Sequence, residues 1–295
     1  MTYSTALIAL YFLALLFGLS VGSFLNVVIY RLPRENLSIT RPKRSFCPAC
    51  GAQISWYDNI PVFSWIWLKA RCRSCRKPIA ARYPLVELIT GLMAVYLFHV
   101  YGLSLAFLIY FYFFCCLLSI ALIDLELMVI PMALVYPTAA IGLISALIYP
   151  SPELAGLGLW NSLAPDFGPR LASLAGALAG LALGWGTLKA VSLGYKLVRG
   201  HDGMGDGDPP LLGMIGAFLG WRAILLVILW STLIGILSVA ILMLMSKGKP
   251  PEEGWGRKPL PFGPFLVLGA LLYLFFGPEF LAWYWGLMGV PSAML

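Results

Sequence analysis

The sequence predicts an all-α, polytopic membrane protein of about eight transmembrane helices, interrupted by one small polar loop domain. Three observations carry this. Of 295 residues, 60% are hydrophobic and only 11% are charged, whereas a soluble domain carries roughly 25% charged residues. The mean hydropathy is +0.87. The apolar residues also gather into runs close to the ~20 needed to cross the hydrocarbon core.

The first run covers residues 6–30. It has no basic segment before it and no small-residue cleavage site after it, so it reads as a retained span, not a removed signal. Residues 31–83 are polar and basic. Further spans are expected at 84–101, 103–123, 129–149 and 171–193. Residues 209–245 are too long for one span, and Gly220-Trp221-Arg222 supplies a turn, giving a short helix and then a full one. The last span is 265–287. Short spans are hard to divide, so seven or nine remain open. The expected organisation is a first transmembrane helix over 1–30, a cytoplasmic four-cysteine domain over 31–83 and a transmembrane core over 84–295. No internal repeat stands out, which gives no support to a transporter of repeated halves.

The net charge is +7, but its distribution argues against a nucleic-acid partner. Eleven of the 20 Lys and Arg residues fall between positions 31 and 82. Basic residues concentrate on cytoplasmic loops, so 31–83 is placed inside and the N-terminus outside. Alternation then puts Asp124 and Glu126 at a cytoplasmic helix end. Loop 150–169 falls outside with Arg170 just past it. Lys196, Arg199 and the four basic residues of 247–258 fall inside. Arg170 and Arg222 are the exceptions. The lipid bilayer is therefore the expected surround.

Cys47-Pro-Ala-Cys50 and Cys72-Arg-Ser-Cys75 are two CxxC pairs with 21 residues between them. Each pair can aim two sulfurs at one ion, and the two complete a tetrahedron, as in structural Zn(2+) sites. A reducing compartment disfavours disulfides. A redox role is the competing reading, but it needs only one CxxC. Such a site would fold a loop too small to form its own core. Cys115 and Cys116, inside an apolar run, read as packing residues.

Acidic groups at membrane helices are costly and mark function. Asp124 ends the third span. Asp202, Asp206 and Asp208 lie in His-Asp-Gly-Met-Gly-Asp-Gly-Asp-Pro-Pro, before the sixth. Asp124 and Asp208 thus come from different helices at one expected depth. Two converging carboxylates share a proton, so one can activate water while the other polarises a carbonyl. Their titration would belong to the pair. Gly205 and Gly207 would let substrate backbone approach and would permit positive φ. The competing reading is an Asp that merely caps a helix. There is no HExxH metal motif and no Gly-x-Ser-x-Gly elbow. His99 reads as a packed or helix-end residue.

These residues resemble the type IV prepilin leader peptidases, which also serve type II secretion pseudopilins. The likeness covers nearly the whole chain. Gly22-Ser-Phe-Leu-Asn-Val-Val-Ile-Tyr-Arg-Leu-Pro33 is similar to the family's first span and exit. Trp56-Tyr-Asp-Asn-Ile-Pro-Val62 lies between the cysteine pairs. Arg82-Tyr-Pro-Leu-Val-Glu87 matches the start of its second span. Gly203-Met-Gly-Asp-Gly-Asp208 carries Gly-x-Gly-Asp, and Leu260-Pro-Phe-Gly-Pro-Phe265 a late motif. The resemblance implies cleavage of short basic leaders after a glycine, on the cytoplasmic side of the bacterial inner membrane. Asp124 and Asp208 would be the catalytic aspartates. It also implies methylation of the new N-terminal amine with S-adenosylmethionine, since the four-cysteine loop is typical of bifunctional members. Asp58, Asn59 and Glu87 are the candidates for binding that donor, or else are cap and turn residues.

The chain departs from the family at Glu126 and Met132, where Asp is common, and at Pro210, where Lys is usual. Asp206 is an additional acid, which leaves Asp206 and Asp208 both open as the second aspartate. The glycine register favours Asp208. Rival readings are a proton-coupled transporter, which would spread its acids across the bilayer, and a non-catalytic pilus assembly factor.

Overall fold

In the computed structural model, residues 3–34, 37–42, 44–150, 168–201, 203–245 and 260–289 are described. Asp202 and most of the two loops 150–169 and 247–258 lie outside them, so the loop charges used above have no structural counterpart here. The described helices are α1 (Tyr3–Arg31), a 3-10 turn (Trp56–Asn59), α2 (Phe63–Trp67), α3 (Arg82–Tyr101) and α4 (Leu105–Leu127). They continue with α5 (Met132–Ile148), α6 (Pro169–Arg199), α7 (Asp208–Leu219), α8 (Trp221–Met245) and α9 (Gly263–Leu287). No strand occurs among the described residues; two isolated β-bridges do.

Six of these helices, α1, α3, α4, α6, α8 and α9, are long and apolar enough to cross a membrane. The two shorter apolar helices, α5 with 17 residues and α7 with 12, complete the eight apolar segments. At 1.5 Å per residue, α7 extends only about 18 Å, so it ends part-way through a hydrocarbon core. The turn expected at Gly220 is present, with φ of +80° closing α7 before α8. That positive φ is one that glycine accepts without steric cost.

The chain divides into two compact units, residues 1–119 and 120–295, the boundary falling inside α4. In the first, α1 packs along α3. Gly18 and Gly22, one helical turn apart, allow it: a Cβ on Gly18 would lie 2.7 Å from the Thr90 carbonyl oxygen, and one on Gly22 2.7 Å from Glu87 Cα. In the second unit, α7 packs against α5, α6, α8 and α9. It is apolar all round, the pattern of a helix enclosed by others, and eleven of its twelve residues are buried.

Lipid tails are as apolar as leucine, so helices associate in a bilayer through close packing more than through the hydrophobic effect. Glycine seams provide that packing. Gly180 and Gly184 of α6 face α7, and a Cβ on Gly184 would come 2.5 Å from the Leu212 carbonyl oxygen. A Cβ on Gly180 would collide with the carbonyl of Gly216. Gly186, on the same helix, has nothing within 4 Å of such a Cβ. Gly180→Ala should therefore destabilise the protein by about 2 kcal/mol through overpacking. Gly186→Ala should be neutral or stabilise it by up to about 1 kcal/mol through helix propensity. Thermal unfolding of the two variants in detergent checks the opposite signs.

Candidate functional sites

The second unit holds a cleft of about 610 Å³, lined by Asp124, Met128, Ile130, Tyr136, Asp206, Asp208 and Phe262 among others. Asp124 lies in the last turn of α4 and Asp208 begins α7. Both are 4% exposed, and both line this one cleft. The N-cap position of α7 is Gly207, and Asp208 is the first residue of the helix. Asp208 therefore does not occupy the cap position.

Asp124 Oδ2 accepts a 3.1 Å hydrogen bond from the amide of Gly263. First-turn amides of a helix have no partner within it and carry the positive end of its dipole. The start of α9 thus offers a carboxylate a ready partner. Gly263 has to be glycine, because a Cβ would lie 2.5 Å from Asp124 Oδ2. Sequence reasoning gave the Pro-Phe-Gly-Pro stretch no role. Its signal was a Gly-Pro at the start of an apolar run, where proline favours the first helical turn.

The glycines before Asp208 serve through size and not through left-handed backbone, contrary to the expectation for Gly205 and Gly207. Neither is among the positive-φ residues, and Gly207 has φ of −84°. A Cβ on Gly207 would come 2.7 Å from Ile130 Cβ, and one on Gly205 3.3 Å from Asp208 Oδ2. The left-handed residue at this site is Met128, with φ of +56°, whose amide donates to the Asp124 carbonyl at 2.8 Å and closes α4. A non-glycine residue there carries steric strain of about 1–2 kcal/mol.

Asp206 differs from Asp208. Its side chain is fully exposed, with Lys189 Nζ 3.8 Å away, the geometry of a weak surface pair. Glu126 is exposed, while Met132 and Pro210 line the cleft.

In the first unit, Cys47, Cys50, Cys72 and Cys75 place all four sulfurs within 4.8 Å of one another. Cys47 Sγ and Cys75 Sγ are 3.9 Å apart. Zn–S bonds of about 2.3 Å in a tetrahedron require sulfurs about 3.8 Å apart, so the set fits such an ion. The two knuckles repeat one design. Gly51 and Arg76 return their amides to the carbonyls of Cys47 and Cys72 at 2.9 and 3.0 Å. Bridges Phe46–Gln53 and Arg71–Pro78 close each loop. Gly51 and Arg76 both have positive φ, 71° and 60°. Backbone amides of Cys75 and Ser74 aim at the Cys72 sulfur and bring its pKa down to about 7, toward the thiolate that binds metal.

Next to the knuckles is a second cavity of about 440 Å³, also within the first unit. Asp58, Asn59 and Glu87 all line it. Asp58 is already held by Arg73, whose Nε and Nη2 donate at 2.8 and 2.6 Å. Glu87 accepts the Val62 amide at 2.7 Å. Each carboxylate thus already has a partner within the protein. Elsewhere, His99 Nδ1 is 2.8 Å from the Tyr11 hydroxyl, and Cys115 and Cys116 are buried.

Comparison with known proteins agrees across both units. The Bacterial Peptidase A24 N-terminal domain matches residues 16–101, and the Type IV leader peptidase family matches residues 111–240. The chain is 34% identical to the Prepilin leader peptidase/N-methyltransferase of Aeromonas hydrophila, over 93% of this chain and 94% of that one. It is 37% identical to the protein of the same name from Pseudomonas aeruginosa, over 90% of each. A third, from Myxococcus xanthus, is 38% identical over 85% of this chain and 69% of its own length. No solved structure matches. Two matching domains in the expected order, and relatives aligned along almost all of the chain, lead to one conclusion: the chain belongs to the type IV leader peptidase family.

Proposed function

We propose that this multi-pass inner-membrane protein removes the leader from type IV prepilins or type II secretion pseudopilins and methylates the new N-terminus. Asp124 and Asp208 are its catalytic pair. The observation that carries the reading is that two buried carboxylates, 84 positions apart in sequence and on different helices, line one open cleft. Like charges so placed hold one proton between them. The ionised member takes a proton from water as that water attacks the scissile carbonyl. The protonated member donates to the carbonyl oxygen. The α9 amide on Asp124 fixes its orientation.

An extended substrate backbone can pair with bare main chain of the 203–207 loop as a strand does. Basic residues in 31–83 favour the cytoplasmic side for the cysteine domain and the cleft. Cys47, Cys50, Cys72 and Cys75 hold Zn(2+), which fixes the fold of that domain and leaves no open position for catalysis. S-adenosylmethionine supplies the methyl group. The 440 Å³ cavity falls within the size range of small-molecule sites. The bilayer and the prepilin are the partners.

The test is incubation of purified protein with a prepilin and labelled S-adenosylmethionine, followed by mass analysis. A shortened, singly methylated product is expected. An intact prepilin would overturn the peptidase reading. A shortened but unlabelled product would overturn the methyltransferase reading alone.

A further inference from the structure

Two buried polar groups in the 440 Å³ cavity of the first unit are left with chemistry that the protein itself does not complete. Asn26, on α1 and 5% exposed, donates through Nδ2 to the carbonyls of Gly22 at 3.3 Å and Tyr83 at 3.0 Å. Both partners are acceptors, so the amide nitrogen must face them, which fixes the side-chain orientation. Asn26 Oδ1 is then buried with no hydrogen-bond partner. A buried acceptor without a donor costs roughly 1–3 kcal/mol, so its presence in a cavity points to a donor arriving from elsewhere.

The second group is Glu87, on α3 and 8% exposed. It accepts from the Val62 amide at 2.7 Å. That donor is neutral, and among the described residues no Lys or Arg pairs with it. Buried charges are normally paired. A carboxylate has about four acceptor positions, so capacity remains. An uncompensated carboxylate and an orphan amide oxygen in one cavity both call for a cation that carries N–H groups.

We propose that this cavity binds a protonated amine, received by Asn26 Oδ1 and Glu87. The inference rests on the methyltransferase reading for the source of that amine. The cationic N–H chemistry itself rests on the cavity. Two amines belong to that reaction: the amino-acid ammonium of the methyl donor, and the N-terminus freed from the pilin. Arg73 already neutralises Asp58, so Glu87 is the acid with charge to offer.

Full-length protein carrying Asn26→Leu, Asn26→Asp or Glu87→Gln tests this. Leu and Asp both lose the Nδ2 bonds, but only Leu loses the acceptor. Leader cleavage and the thermal midpoint report that each variant is folded. Methylation by Asn26→Leu and by Glu87→Gln should fall by about tenfold or more, and Asn26→Asp should retain more than Asn26→Leu. Titration of S-adenosylmethionine alone separates the sources. Weakened binding in the Leu and Gln variants assigns the site to the donor's ammonium. Unchanged donor binding with a raised KM for the prepilin assigns it to the pilin amine. Equal methylation by wild type and all three variants, or an equal fall in Asn26→Leu and Asn26→Asp with Glu87→Gln unaffected, would overturn the inference. Should the Asn26 variants not fold, Glu87→Gln decides by the same readouts. If the wild type transfers no methyl group to the cleaved product, the methyltransferase reading fails first and the assignment of the amine fails with it.

Discussion

Asp124→Asn and Asp208→Asn are each expected to abolish leader removal, with a fall in cleavage rate of at least about 10³-fold. Amide replacement keeps the shape and much of the hydrogen bonding. The Gly263 amide, 3.1 Å from Asp124 Oδ2, can still donate to the Asn oxygen, so the fold should survive. What disappears is the proton shared between two acids. Neither an amide and a carboxylate nor two amides can exchange a proton with both water and a carbonyl oxygen in one step. Each single variant should be about as inactive as the double, because the pair acts as a unit. Asp206→Asn is the control. Its side chain is fully exposed beside Lys189, and surface pairs of that kind contribute little, so cleavage should persist. Prepilin processing followed by mass analysis decides between these outcomes. Unimpaired cleavage by both the Asp124 and Asp208 variants would remove the pair from the mechanism. Loss of cleavage in Asp206→Asn alone would transfer the role to that residue.

The second large effect is expected at the cysteines. Wild-type protein should carry about one zinc per chain, and Cys47→Ser or Cys72→Ser should carry almost none. Metal binding in such small modules is folding free energy, on the order of 10 kcal/mol or more in isolated zinc peptides. Residues 46–78 have little else to hold them. Their ordered pieces are a 3-10 turn of 4 residues, a helix of 5 residues and two isolated bridges. Removal of metal by a strong chelator should therefore open the segment to trypsin at its many Arg and Lys residues, while the helical spans stay protected. Elemental analysis and limited proteolysis check both parts. Metal-free protein with unchanged protease resistance would exclude a metal-dependent fold.

Much of this was legible from spacing alone. Eight apolar segments, the two CxxC pairs and the acids near helix ends are local patterns, and period and charge reveal them without a structure. The segments at 129–149 and 209–219 show where that reading stops. They are apolar like true spans, yet their helices have 17 and 12 residues. Hydropathy does not distinguish a helix wrapped in lipid from one wrapped in other helices, because both environments are apolar.

The sequence by itself determined the class of the protein, its polar interruption and the short inventory of chemically capable side chains. Only tertiary structure decided which of them act together. It buried Asp208 and left Asp206 in solvent. It brought the Gly263 amide, 139 positions along the chain, to Asp124. It tied Asp58 to Arg73 and left Asn26 Oδ1 without a donor. The physical reason is that desolvation and hydrogen bonding depend on distances of a few ångströms between residues remote in sequence. Those distances are set by how closely the glycine seams let helices approach, a property of helix pairs that no single segment carries.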